Sequence, residues 1–213
     1  QKETLRLSQR LTKDGRLDAK AFELTLSTMQ AFAFMCRQNK ADKIIAVATA
    51  AIRNASNGQE LTKLVAEKTG INLHILPGTA EAFLSFLGTV NTLSVKDGIL
   101  FDLGGGSTEL VLFRDRQIVE SVSIPMGAVN TTAMFNIRGI LSNSVFSDVN
   151  YLLASKISKY AWLQDTKLPL IGVGGTARTV ARIIQKERHY PTSKIHNYAV
   201  TAQTVRNVFK RLR

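Results

Sequence analysis

Residues 98–124, GILFDLGGGSTELVLFRDRQIVESVSI, constrain the fold more than any other stretch of this chain. Three short runs rich in β-branched and apolar residues, GILFDL, ELVLFRD and QIVESVSI, are separated by the glycines 104–106 and by Arg114-Asp115. That punctuation predicts a small antiparallel meander with tight turns. Such a sheet is stable only if something covers its apolar face, so the flanking sequence has to supply helices.

It does. Asp18 is placed to cap a helix running to about Arg37, with Phe22, Leu26, Met29, Ala33 and Cys36 at three-to-four spacing and Ala21, Leu24 and Ala31 widening the stripe. KIIAVAT (43–49) reads as a strand buried on both faces, NGQELTKLVAEKTG as a helix capped by Asn57 and stopped by Gly70, and INLHIL (71–76) as the next strand. Strand, helix and strand in that order predict a right-handed parallel crossover. TAEAFLSFLGTVNTL follows as a helix with Thr79 as its cap and Glu81 in its first turn. Further on, KLPLIGVGGTARTVARII runs from a strand through a glycine turn into a helix expected to begin at Thr176, and TAQTVRNVFKRLR starts a last helix at Thr201. The class is therefore α/β. The polar, turn-rich NTLSVKDG divides the chain into domains 1–93 and 94–213.

With 45% apolar and 21% charged residues and only 4 prolines, the composition is that of a packed globule rather than a disordered chain. The longest apolar run, IIAVATAAI (44–52), is far short of the ~18 residues a membrane-crossing helix needs. QKETLRLSQR lacks the apolar core of a signal peptide, and Cys36 is the single cysteine, so the expected setting is cytoplasmic and without an internal disulfide. His74, His189 and His196 have no second ligand at metal spacing, which argues against a structural zinc site.

The net charge of +12 is concentrated late in the chain. From Ser155 onward, 12 Lys and Arg face only Asp165 and Glu187. A basic surface of this kind attracts polyanions or remains a solvated face, and charge alone does not choose.

The candidate chemistry lies in four places. In DLGGGSTE the glycines 104, 105 and 106 let backbone N–H groups approach an anion without a Cβ in the way, Ser107 and Thr108 add hydroxyls, and Asp102 and Glu109 bracket the turn with carboxylates able to hold a divalent cation. For the glycines alone a hairpin turn is the commoner reading. GVGGTA repeats the device, with Gly174, Gly175 and Thr176 at a helix N-terminus, where close helix–strand packing would call for the same glycines. Arg53 sits in the turn after a strand, where a guanidinium forks onto phosphate oxygens or simply meets solvent. Glu81 suits the helix dipole in its own right, and would also serve as a general base aimed at water.

VATAAIRNASNG, LPGTAEA, ILFDLGGGSTELVLF, SIPMGAVNTTAMF and IGVGGTARTVARI occur in the order and spacing that resemble exopolyphosphatases and guanosine pentaphosphate phosphatases, a branch of the actin-like ATPase and sugar kinase superfamily. The resemblance runs from about Leu5 to Val208. It implies two actin-like, ribonuclease H-like α/β domains with mixed sheets flanking a cleft, the first domain incomplete. Both ends of the chain read as cut, and the family's first phosphate loop, Asp-x-Gly-Ser-Asn, would lie before Gln1. The resemblance further implies Glu81 as the base that activates water, and Asp102 and Glu109 as ligands of Mg2+, Ca2+ or Mn2+ or as carboxylates lining the site. Gly104, Gly105, Gly106, Ser107 and Thr108 would form a phosphate loop, Arg53 would contact phosphate, and Gly174, Gly175 and Thr176 would line the site from the other loop. Where the family often has Glu-Glu-Ala-Arg, this chain has Ala80, Glu81, Ala82 and Phe83.

The implied reaction is release of the terminal phosphate from inorganic polyphosphate or guanosine pentaphosphate. The alternatives are an ATP-dependent kinase or ATPase of the same superfamily, or a module that binds such polyanions without turnover. The expected partner is the polyanionic substrate, with a homodimer as an option, and neither membrane nor nucleic acid is expected.

Overall fold

In the computed structural model, residues 2–164 and 166–212 are described. They form two compact units, one ending at Glu81 and the other beginning at Ala82. The fold is α/β and includes a mixed sheet. Among the described residues no helix is long and apolar enough to cross a membrane.

The first unit is built on α1 (Ala19–Gln38) and α3 (Gly58–Thr69), which pack together, with a two-stranded parallel sheet of β1 (Ala46–Ala48) and β2 (Leu73–Ile75). Asp18 caps α1 as its sequence predicts, its carboxylate accepting from the Ala21 amide at 2.7 Å. Gly70 ends α3 in the left-handed region at φ 75°. Asn57 occupies the position before α3 without capping it by its side chain. Its amide instead bonds both backbone groups of Leu17, accepting from N–H at 2.8 Å and donating to C=O at 3.0 Å, which staples the chain ahead of α1 to the start of α3.

The strand expected over 43–49 shrinks to Ala46–Ala48. Ile45 is 75% exposed, and Ile44 and Val47 are exposed as well, so the expectation of burial on both faces fails. Double-sided burial needs neighbouring strands and a covering layer on each face. Among the described residues β1 has only the three-residue β2 beside it, and the core of the unit reaches Ala48 alone on that strand.

The helix α4 (Gly78–Thr92) begins in the first unit and continues into the second. It starts one residue before Thr79, which therefore is not its cap. The Pro77 carbonyl accepts from the amides of Ala80 and Glu81 and closes the first turn instead.

In the second unit β3 (Gly98–Leu103), β4 (Thr108–Arg114) and β5 (Gln117–Ile124) form the predicted antiparallel meander. A fourth strand, β6 (Leu170–Val173), joins parallel to β3 and gives the order β5-β4-β3-β6. Ala82, Phe86 and Val90 of α4 cover Leu100, Val111 and Phe113 on one face. On the other face Leu110, Ile124 and Met126 pack with Phe101 and Val122, and with Leu152 from α6 (Asn143–Ile157). A short α5 (Ala128–Met134) follows β5; neither it nor α6 was expected from the sequence. β6 leads directly into α7 (Gly174–Glu187), so that helix begins two residues ahead of the expected Thr176. The last helix, α8 (Ala202–Leu212), begins one residue after the expected Thr201, whose hydroxyl accepts from the Thr204 amide and so caps it.

Candidate functional site

The β3–β4 register pairs Asp102 with Glu109, and the β4–β5 register pairs Glu109 with Ser123. Residues opposite one another across antiparallel strands share a face, so the three side chains form a polar row on the face that α4 covers. Ser123 donates to Glu109 Oε1 at 2.8 Å, and Ser85 on α4 donates to Asp102 Oδ2 at 2.7 Å. Glu109 is only 1% exposed, whereas Asp102 is half-buried at the end of its strand. A buried carboxyl group needs hydrogen-bond partners, and Ser123 supplies one to Oε1.

The turn between β3 and β4 is fixed from outside. The Gly104 carbonyl accepts from the Ala128 amide, the Gly105 carbonyl from the amides of Val129 and Asn130, and the Gly106 carbonyl from Asn130 Nδ2 at 2.9 Å. Asn130 Oδ1 in turn accepts from the Gly127 amide at 2.7 Å. Three successive carbonyls thus point at the start of α5. In a planar trans peptide the next N–H points the opposite way. The amides of Gly105, Gly106 and Ser107 therefore face away from α5, and no backbone carbonyl among the described residues accepts from them. Consecutive amides directed outward form the concave nest that anions occupy. Gly127 makes the close approach feasible, because a Cβ there would stand 2.5 Å from Gly105 C and 2.6 Å from Gly106 N.

The second glycine turn lies against the first. Asp102 pairs with Val173 across the parallel β3–β6 ladder, so both turns leave the carboxyl ends of adjacent strands. In open α/β sheets ligands bind outside those ends. Gly174 takes φ 86°, which favours glycine, and a Cβ there would fall 2.6 Å from Asp102 Oδ1 and push that carboxylate aside. The free amides at the start of the 14-residue α7 sit in this place with Gly175 and Thr176.

The remaining residues singled out in the sequence divide differently. Thr108 turns away from the row, its hydroxyl donating to the Met126 carbonyl at 2.6 Å. Ser107 is buried within the turn. In the first unit Arg53 closes the short helix α2 (Ala50–Arg53), and its Nη1 donates both to the Leu76 carbonyl at 2.9 Å and to Glu81 Oε2 at 2.8 Å. That ion pair is four-fifths shielded on both sides.

The donor set suits a hard cation in part. Mg2+ keeps several waters and takes one or two carboxylates with substrate phosphates, and Asp102 beside two amide-rich turns fits that pattern. Glu109, enclosed and bonded to Ser123, stands behind it. Among the described residues no three His, Cys, Asp or Glu side chains gather as a metal cluster. Four contributors were not picked out from sequence: Ser85, Ser123, Gly127 and Asn130. For the last two a partial signal existed, since an Asn three residues after a helix-start Gly can accept from that Gly's amide, one half of a capping box.

The Ppx/GppA phosphatase family matches the chain over residues 1–213. The bifunctional 3-dehydroquinate synthase/phosphatase of Fusobacterium nucleatum is 30% identical over 218 residues, covering 95% of this chain and 32% of that protein. Exopolyphosphatase 2 of Mycobacterium tuberculosis is 27% identical over 219 residues, covering 98% of this chain and 68% of that one. The crystal structure of the Aquifex aeolicus Ppx/GppA family member superposes with a TM-score of 0.78 at 25% identity, over 98% of this chain and 68% of the other. The chain thus spans about a third of the length of the first relative and about two-thirds of the other two.

Proposed function

Because this chain belongs to the Ppx/GppA phosphatase family, we propose that it acts in the release of terminal phosphate from inorganic polyphosphate or guanosine pentaphosphate. The observation that carries the reading is the outward amide row of Gly105, Gly106 and Ser107, set beside Asp102 and the start of α7. Those groups would hold the oxygens of the terminal phosphate and of its neighbour. A divalent cation at Asp102, Mg2+, Mn2+ or Ca2+, would supply neutralisation of phosphate charge. Water would attack the terminal phosphorus as the bridging P–O bond breaks, the shortened chain leaving with the bridging oxygen and the water's proton passing to Glu81. Phosphoryl transfer needs little covalent help, so positioning and charge would carry the rate. The domain division at 93/94 and a cytoplasmic setting belong to the same reading.

The test is a phosphate-release assay on the full-length protein with polyphosphate, guanosine pentaphosphate and ATP in parallel, with divalent cation present and then chelated. Release from either of the first two, lost on chelation, is expected. Consumption of ATP alone would place the protein among the kinases and ATPases of the superfamily.

Arg53 receives a sharper role from its contacts than from its sequence position. Its Nη1 joins Glu81 to the Leu76 carbonyl, so it would act chiefly by holding the base. Arg53→Ala is expected to lower kcat by about 10-fold or more with little change in KM, since a misplaced group costs the transition state. Arg53→Lys, which keeps charge but loses the planar fork, should recover part of kcat. A rise in KM at constant kcat would return Arg53 to a direct phosphate contact.

A further inference from the structure

Along α7, Arg178, Arg182 and Lys186 recur at four-residue steps, all exposed. On a helix each step rises about 6 Å and turns only about 40°, so the three cations lie along one flank. Ile184, on the opposite flank, is buried, and Gln185 is buried along the stripe's edge, close in angle to Arg178. No acid interrupts the stripe. Glu187, the single acidic residue of the helix, pairs with Arg211 of α8. Arg178 donates Nε to the Gly174 carbonyl at 3.1 Å, which ties the first cation to the turn lying against Asp102. The side chains of Arg182 and Lys186 have no hydrogen-bond or ion-pair partner among the described residues.

This pattern opposes what the helix alone would favour. Like charges four residues apart repel. A polyanion laid along the flank relieves that repulsion. Guanosine pentaphosphate is too short in phosphate to follow the stripe, whereas a linear polyphosphate presents charge at every unit.

We propose that Arg178, Arg182 and Lys186 form a track for the distal phosphates of an inorganic polyphosphate chain whose end lies at the Gly174 turn, so that the protein favours long chains over short ones. The inference rests on the reading of the glycine turns as a terminal-phosphate site. Arg182 and Lys186 lie beyond that site, so they can be altered without touching it.

The experiment measures binding of long-chain polyphosphate and of tripolyphosphate to the full-length protein, wild type and R182Q/K186Q, across a series of salt concentrations. Long-chain affinity is expected to fall about tenfold, and the slope of log affinity against log salt to become shallower by about two, because two fewer counterion-displacing contacts are made. Tripolyphosphate affinity and the melting temperature should stay at wild-type values, and R182K/K186R should bind long chains as wild type does. Equal loss on both ligands, or loss on neither, overturns the track. So does an equal loss on single-stranded DNA, which would make the flank a general polyanion surface. If no polyphosphate is hydrolysed yet the long-chain loss persists, the hydrolytic reading fails while the track and the terminal-phosphate site stand.

Discussion

Glu81→Gln is expected to lower phosphate release from polyphosphate by about 100-fold or more while leaving polyphosphate affinity close to wild type, the scale of loss that accompanies removal of a general base. The geometry makes this substitution clean. Arg53 Nη1 occupies Glu81 Oε2, and a glutamine placed in the same rotamer can still offer its carbonyl oxygen to that guanidinium. What disappears is the charge that accepts a proton. Helix α4 should be undisturbed, since Glu81 contributes its backbone amide, and not its side chain, to the closing bond with Pro77. Single-turnover release and equilibrium binding, measured on the same preparation, separate chemistry from affinity. Turnover near wild type would remove Glu81 from the role of base.

Gly127→Ala should be nearly as damaging for a different reason. A methyl group there meets backbone atoms of Gly105 and Gly106 at 2.5 to 2.6 Å, and backbone cannot step aside as a flexible side chain would. Either the β3–β4 turn moves or α5 withdraws, and the Asn130 bonds that orient the turn break in both cases. Displacing an anion-holding group by about 1 Å can cost about 100-fold in rate, and a loss of that order in kcat/KM is expected, with the meander itself still folded. Circular dichroism close to wild type alongside the lost activity would show that the damage is local. Full activity would mean that the turn has no part in holding substrate.

Both variants touch residues whose importance the sequence reveals unevenly. Asp18 and Gly70 were legible because a cap or a left-handed stop depends on neighbours within a few residues. The meander was legible for the same reason, and hairpin arithmetic across a four-residue turn is enough to put Asp102 and Glu109 opposite each other. Burial on β1 was not, because Ile44 and Ile45 look like core until one knows which strands lie beside them. Asn57 was assigned to its own helix because the partner it prefers, Leu17, lies 40 residues away. Gly127 lay in plain sight in SIPMGAVN, but its constraint comes from the turn some 20 residues upstream that its missing side chain lets in. Ser85 and Ser123 carry no pattern at all; they matter through the carboxylates they meet.

The clamp of α5 on the glycine turn also bears on the thermodynamics of binding. A glycine-rich loop left to itself samples many conformations, and freezing it around a ligand would sacrifice backbone entropy of about 1 kcal/mol or more for each residue ordered. Here that ordering has already taken place during folding, at the expense of overall stability and with the carbonyls of Gly104, Gly105 and Gly106 committed to Ala128, Val129 and Asn130. An arriving anion then finds its amides in position, and affinity is spared the ordering term that weakens flexible binding loops.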